Sequence, residues 1–449
     1  MFKKYFTQSN LIYLILILAV GIFLRIYKIG TNYYFTGELG KELLYMYRFA
    51  SNHTLPLIGM TTSHEWLSYG PFYYWLMIPI FNIFSGNPFI LFWSGLIVSV
   101  LGLISIYLVF RKIIDEKTAL LTTMIASLSP FFIWQTRLSK LHVFFFLIIP
   151  VFTYLLFLLW NGKKKWIIPT GLLFGILFSF HFSQIPLFGV VILLFLIKRN
   201  IYKIRDWIYF GVGVIIPNIT LIWQDRNLAL WLPYRVVNIA NKNPIETLKL
   251  LTEYFGKSIF WDSRFWTAGL VIFLAIFIHY IIKNRHNFTK EFLPFYLISS
   301  ISLMLVANIL HGAPPIHYFL PMFTAQTVLY AVYLAKFKFW PFVFVPVLFI
   351  NLMAFISDPV FYKNFSGLVK NTDMVSYSTQ DVATSFIVAS AKNAPISIRR
   401  VGLFDYFPEQ YSQNYKYLII WKGGNLVEKS GNVYTVTEDS KKGEVSVQK

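Results

Sequence analysis

The sequence predicts an all-α polytopic membrane protein with a small external α+β domain at its C-terminus. Hydrophobic residues make up 56% of the 449 residues and charged residues only 13%, about half the charged share of a typical soluble domain. Apolar runs of about 20 residues, the length that crosses a bilayer, recur along the chain. Cysteine is absent, which excludes disulfides, thiolate metal sites and cysteine nucleophiles. This composition excludes a disordered chain and argues against a soluble enzyme.

Eleven apolar runs are predicted to cross the membrane, and together they define a membrane module over residues 1–356. The runs are 11–27, 88–110, 118–136, 141–160, 166–182, 184–198, 207–224, 265–282, 292–310, 315–335 and 339–356. A shorter apolar run at 71–84 is interpreted as a re-entrant or interfacial helix on the outer side. No Asp or Glu falls inside any of the eleven runs.

The net charge of +20 follows from membrane topology. The positive-inside rule assigns six basic clusters in short loops to the cytoplasmic side. The clusters are Lys3 and Lys4; Arg111, Lys112 and Lys117; Lys163–Lys165; Lys198, Arg199, Lys203 and Arg205; Lys283, Arg285 and Lys290; Lys336 and Lys338. We therefore expect a multi-pass protein of the plasma (inner) membrane, with a cytoplasmic N-terminus, an external C-terminus and no nucleic-acid partner.

The C-terminal segment 357–449 differs in composition, since it holds nine of the twenty acidic residues. Residues 396–399, 415–421 and 432–437 have the β-branched and aromatic content of short strands, and 379–392 is a candidate helix. We expect a small external α+β domain here.

The first external loop, 28–87, holds the most informative acidic residues. From Glu38 onward it has the periodicity of an amphipathic helix, with Leu39, Leu43 and Met46 on one face. Such a helix could bury its leucine face in the outer leaflet and hold Glu38 and Glu42, which are one turn apart, above it. One carboxylate should then stay ionised and act as a base. An ordinary surface helix with solvated glutamates has the same spacing.

Other candidate side chains also lie on the predicted outer side. His64 and Glu65 are a weak signal for a metal or phosphate site. Arg137 and Lys140 place two cations at an external turn, against the charge rule, and this pattern is typical of phosphate binding. His181 lies at an external helix junction, where the residue pattern favours a packing role. The external loop 225–264 carries six further cations, which suit an anionic partner. They are Arg226, Arg235, Lys242, Lys249, Lys257 and Arg264.

The order of these motifs resembles the C-type membrane glycosyltransferases, particularly the bacterial relatives of glycosyltransferase family 39, which include protein O-mannosyltransferases and aminoarabinose transferases. The resemblance covers roughly 1–340. It rests on the acidic segment 37–42, the Gly-Pro-aromatic segment 70–74, the Ser-Pro turn that leads to Arg137, His181, and the late segment His317-Tyr-Phe-Leu-Pro.

The resemblance implies roles for individual residues. Glu38 matches the catalytic base and Glu42 a second acid. Arg137, Lys140, His317 and Tyr318 match the region that binds the donor phosphate. His64, Glu65, Tyr74, His142 and His181 are assigned to substrate binding or support. His142 stands where several relatives have an Asp, so the sequence leaves open whether a divalent metal is a cofactor.

The predicted activity is transfer of a hexosyl or pentosyl group from a polyprenyl-phosphate-linked donor to an acceptor at the outer face of the membrane. The acceptor class, whether lipid, glycan or protein, is not specified by the sequence. A multispan transporter or flippase of lipid-linked saccharides is the alternative, although it should carry charged residues inside its spans. A membrane scaffold or sensor that presents the C-terminal domain is a third interpretation.

Overall fold

The computed structural model describes residues 8–33, 35–61, 68–224, 244–311, 316–357, 375–401, 412–429, 432–439 and 443–449. Most of these residues are helical. The helices up to residue 160 are α1 (Gln8–Ile26), α2 (Ile29–Asn32), α3 (Gly37–Ser51), α4 (Phe72–Ile83), α5 (Ile90–Ile113), α6 (Glu116–Leu128), α7 (Pro130–Leu138) and α8 (Phe145–Trp160). The helices from there to residue 357 are α9 (Ile167–Phe180), α10 (Pro186–Ile197), α11 (Ile204–Ile215), α12 (Ile219–Gln224), α13 (Pro244–Ile259), α14 (Trp266–Asn284), α15 (Phe292–His311), α16 (Leu320–Lys336) and α17 (Trp340–Ser357).

All eleven predicted apolar runs are mainly helical where the structure describes them, with breaks at residues such as Ser129 and His181. Among the described residues, seven helices are long and apolar enough to cross a membrane, and an eighth is added if the bent pair α6–α7 counts as one span. Three further apolar helices are shorter: Asn10–Ile26, Phe72–Ile83 and Phe182–Ile197. The polytopic helical fold is thus confirmed, while the number of eleven crossings stays a prediction.

The apolar run 118–136 is bent by 54° between α6 and α7. Pro130 is the first residue of α7, and Ser129 before it has extended backbone angles. Proline disfavours the helical conformation in the preceding residue and cannot donate a backbone hydrogen bond, so the helix must restart at this point. The bend sets the direction of α7, which ends just before Lys140.

Helix α3 is packed inside the protein. Thr36 caps its first turn by accepting a hydrogen bond from the backbone N–H of Leu39. Leu39, Leu43 and Met46 are fully buried and belong to the main hydrophobic core. The expectation that this leucine face enters the outer leaflet is therefore wrong, because α4 and a C-terminal helix cover it.

The C-terminal segment forms helix α18 (Tyr377–Ala391), strand β1 (Ser397–Val401), helix α19 (Gln413–Trp421) and strands β2 (Val433–Asp439) and β3 (Glu444–Gln448). The strand order is β1-β2-β3, with β1 parallel to β2 and β2 antiparallel to β3. The α+β architecture, the two outer predicted strands and the helix are confirmed.

The predicted strand at 415–421 is wrong, because these residues form α19. Tyr415 and Ile419 enter the small C-terminal core, whereas Tyr417 and Leu418 enter the main core. A helix that is buried on two sides carries an almost continuous apolar run, which cannot be distinguished from a strand by periodicity.

The C-terminal segment is attached directly to the chain at the start of α3. Gln380 and Asn414 donate side-chain hydrogen bonds of 3.0 and 3.3 Å to the carbonyl of Phe35. Helix α19 crosses α3 at Gly40, where a Cβ atom would lie only 2.3 Å from the backbone nitrogen of Asn414. This contact fixes the helix that carries Glu38 and Glu42.

Candidate active site

Glu42 is a buried acid. Its exposed fraction is 4%, and Tyr73 of α4 donates a hydrogen bond of 3.3 Å to its Oε2 atom. Burial raises the pKa of Glu42 to about 8, and the hydrogen bond from Tyr73 only partly opposes that rise. At neutral pH Glu42 is therefore mainly a neutral carboxylic acid.

Glu38 lies one turn earlier on α3 in a different environment. Its side chain is 40% exposed and forms an ion pair with Lys140, whose side chain is 26% exposed. The left-handed backbone of Ser139, with φ of 58°, ends α7 and turns the chain toward this contact. The two acids thus lie in different environments, Glu38 partly exposed in an ion pair and Glu42 buried. The assignment of Glu38 as the catalytic base stays a prediction.

Three histidines from distant parts of the sequence meet near these acids. His142 lies in the turn before α8, His181 between α9 and α10, and His317 in the turn before α16. Each offers a ring nitrogen, and these atoms all lie within 4.8 Å of one another. The rings of His142 and His317 stack at a centroid distance of 3.8 Å, and His181 lies edge-on to both. We call these three residues the histidine cluster.

Two tyrosines connect the histidine cluster to Glu42. Tyr69 packs on His181 at a ring distance of 5.2 Å, and Tyr318 contacts His181 and His317. Burial raises the pKa of Tyr69, and the nearby Tyr318 and Glu42 add to the rise. The acids and the histidines therefore form one continuous polar site.

Arg137 has a structural contact that the sequence prediction did not include. Its Nη1 atom donates hydrogen bonds to the carbonyls of Arg25 at 3.1 Å and Tyr27 at 2.9 Å. These carbonyls lie at the C-terminal end of α1, where backbone acceptors lack helical partners. Arg137 thus joins α7 to the end of α1, and Lys140 is the cation placed beside the acids.

Several other predictions can be compared with the structure. His64 and Glu65 lie outside the described residues, as do 225–243 of the external loop. In the described part of that loop, Lys257 pairs with Glu253 and Arg264 with Asp262, so two of the six cations are compensated within the chain. Tyr74 is fully buried against Tyr45 and Tyr73.

Sequence reasoning missed two residues. The hydroxyl that binds Glu42 belongs to Tyr73, the neighbour of the predicted Tyr74, and the two could not be separated without knowing the helix face. Arg25 is fully buried and bonds Ser99 of α5 and the carbonyl of Ser127 of α6. A lone arginine at the end of an apolar run was the signal for such a role.

An apolar cavity of about 400 Å³ opens among α6, α13, α14, α16 and α17. Leu128, Phe260, Tyr330, Phe344 and Leu348 are among the residues that line it. Ser129, at the start of α7, also lines the cavity, while Lys140 follows the other end of this nine-residue helix. At 1.5 Å per residue the helix spans about 13 Å.

Comparison with known proteins agrees with this fold. The sequence model of the dolichyl-phosphate-mannose-protein mannosyltransferase family matches residues 68–223. No curated protein sequence matches the chain. The structure is similar to ArnT from Cupriavidus metallidurans bound to undecaprenyl phosphate, with a TM-score of 0.59 and 12% identity over 92% of this chain and 76% of that chain. The apo state of ArnT gives a TM-score of 0.52 and 14% identity over the same shares.

A further similar structure is the archaeal oligosaccharyltransferase AglB from Archaeoglobus fulgidus in complex with an inhibitory peptide and a dolichol-phosphate. Its TM-score is 0.49 and its identity 14%, over 86% of this chain and 58% of that chain. The similarity to ArnT, at 12% and 14% identity, shows a shared fold, and this fold agrees with the resemblance stated from the sequence.

Proposed function

We propose that this protein transfers a sugar from a polyprenyl-phosphate donor to an acceptor hydroxyl or amine at the outer face of the membrane. The observation that carries the proposal is the Glu38–Lys140 ion pair beside the buried Glu42. It supplies a partly exposed carboxylate, a cation and a neutral acid in one site. The fold, and the undecaprenyl phosphate bound in the similar structure of ArnT, support the same class of donor.

Glu38 is the general base in this proposal. The acceptor oxygen or nitrogen attacks the anomeric carbon of the sugar, and its proton passes to the Glu38 carboxylate. The bond between that carbon and the phosphate oxygen breaks, and polyprenyl phosphate leaves with the electron pair. Because phosphate is a good leaving group, no strong general acid is required.

Lys140 stabilises the departing phosphate. A donor phosphate that binds the Lys140 ammonium competes with Glu38 for the same cation, so donor binding frees the carboxylate to accept a proton. Charge stabilisation of this kind is strongest where water is partly excluded, and three-quarters of the Lys140 side chain is shielded from solvent. Arg137, His317 and Tyr318 complete the proposed donor region. The apolar cavity at the other end of α7 suits the first isoprene units.

Glu42 has a supporting role. As a neutral acid it can donate a hydrogen bond to the acceptor or to the sugar, which an ionised carboxylate cannot do. Its bond from Tyr73 fixes the carboxyl group on the buried face of α3.

The test is a transfer assay on the full-length protein in proteoliposomes with a radiolabelled polyprenyl-phosphate sugar. Glu38→Gln keeps the shape and removes the basicity, so turnover should fall about 100-fold to 10,000-fold. Glu428→Gln, at an exposed position far along the sequence, is the matched control and should keep full activity.

Three outcomes contradict the proposal. If Glu42→Gln abolishes turnover while Glu38→Gln retains it, the roles of the two acids are reversed. Full activity in both variants excludes this mechanism. Movement of the labelled donor across the bilayer without any transfer would identify a flippase instead.

A further inference from the structure

The histidine cluster has the composition of a transition-metal site. Three imidazoles plus an open fourth position are a recurrent ligand set for catalytic zinc. Tetrahedral coordination at 2.0–2.1 Å needs ligand atoms about 3.3 Å apart. The ring nitrogens here lie within 4.8 Å of one another, so they must close by at most about 1.5 Å, and the stacked rings of His142 and His317 must also turn until their in-plane lone pairs converge on the ion.

His142 gives an independent indication of a ligand. The residue is 6% exposed, and its buried Nε2 atom has no hydrogen-bond partner among the described residues. Leaving a buried polar atom unpaired costs about 1–3 kcal/mol. A metal ion bound to Nε2 would remove that cost.

His181 is held by a neighbouring group that can select its tautomer. Its Nδ1 atom lies 2.8 Å from the hydroxyl of Ser183 and 3.2 Å from the backbone nitrogen of the same residue. If protonated Nδ1 donates to the hydroxyl, Nε2 keeps its lone pair for a metal. If Nδ1 accepts from the backbone, the proton lies on Nε2. The backbone N–H of Ser183 donates to Nδ1, so the cluster without an ion has the second arrangement. Metal binding moves the proton to Nδ1, which then donates to the Ser183 hydroxyl as an outer-sphere partner.

We infer that His142, His181 and His317 together bind a zinc-class divalent ion. The cluster offers imidazole nitrogens alone, which suit zinc, copper, iron and nickel, whereas magnesium and calcium prefer oxygen ligands. Lys140, two residues before His142, lies at the same turn. We assign the fourth position to a phosphate oxygen of the donor, and this assignment rests on the proposed function, whereas the metal site itself does not.

The experiment measures metal binding directly. Full-length protein in detergent is stripped with a chelator, loaded with Zn²⁺ or Co²⁺, and desalted. We expect one ion per chain by elemental analysis and the intense visible absorption of four-coordinate Co²⁺. His142→Ala and His317→Ala should each weaken binding by roughly 100-fold or more, since even outer-sphere changes cost 10-fold to 100-fold. His286→Ala, at an exposed histidine outside the cluster, should bind normally.

The Ser183→Ala variant is a second test, which does not depend on whether the His142→Ala and His317→Ala variants fold. It leaves all three imidazoles in place and should weaken Zn²⁺ binding about 10-fold to 100-fold through loss of the outer-sphere contact. Less than one ion per ten chains in the unmodified protein, or equal binding in the His286→Ala and His142→Ala variants, overturns the metal site. Zinc binding with no sugar transfer would refute the proposed function and leave the metal site standing, and transfer without zinc binding would do the reverse.

Discussion

The buried carboxyl of Glu42 should make the stability of this protein fall as the pH rises. Folding raises the pKa of this group from 4.5 to about 8, chiefly by burial. The folded state therefore holds a proton that the unfolded state has released at any pH between these two values. Stability that is present below the unfolded pKa is lost progressively as the pH rises through the folded pKa.

The size of the effect follows from the two pKa values. Each pKa unit corresponds to 1.36 kcal/mol. Between pH 6 and pH 9 the folded protein should lose about 2–3 kcal/mol through Glu42 alone. In a thermal melt of a chain of this size, that loss corresponds to a decrease of a few degrees in Tm.

The measurement compares melting curves of the full-length protein and of two variants in detergent from pH 6 to pH 9. Glu42→Gln cannot ionise, so its Tm should fall less over this range by the amount assigned to Glu42. Glu38→Gln, one turn away at the partly exposed position, should follow the unmodified protein. Parallel curves for the Glu42→Gln variant and the unmodified protein would refute the reasoning, because they would mean that Glu42 is hydrated and ionised in the folded state.

Two further predictions concern the scaffold. Arg137→Ala should lower Tm, because it removes two hydrogen bonds from a charged donor worth about 1.5–3 kcal/mol each, and should weaken donor binding about tenfold or more. Unchanged Tm and unchanged donor affinity would exclude both roles. Because the chain has no cysteine, a single cysteine can be introduced as Lys164→Cys or Lys449→Cys and treated with a membrane-impermeant maleimide. In intact cells only the Lys449→Cys variant should be labelled. Labelling at 164 alone would reverse the predicted orientation.

The sequence predicted the helical membrane fold and the key acidic segment because both depend on local pattern. Hydrophobic runs set the helices, and the four-residue spacing put Glu38 and Glu42 one turn apart. The different environments of the two acids depend on Tyr73 and Lys140, which are 31 and 102 residues away from Glu42 and Glu38. Such tertiary contacts leave no periodic signal in the sequence.

The other differences between the predicted and the observed structure also arise from tertiary contacts that leave no local pattern in the sequence. The histidine cluster joins three turns separated by up to 175 residues, and no local pattern indicated that the three histidines meet. Helix α19 was predicted as a strand because its almost continuous apolar run packs into both the main core and the small C-terminal core. The number of crossings stays a prediction, since several helices are shorter than a bilayer is thick.

The attachment of α19 to α3 has a consequence for biogenesis. The ribosome makes the segment that holds Glu38 and Glu42 before it makes Gln380 and Asn414, the residues that clamp this segment by bonding Phe35 from 345 and 379 residues further along the chain. A partly synthesised chain can insert its helices into the membrane but lacks the clamp on α3. The acids can therefore reach their final positions only after α18 and α19 have been made and have packed against the start of α3.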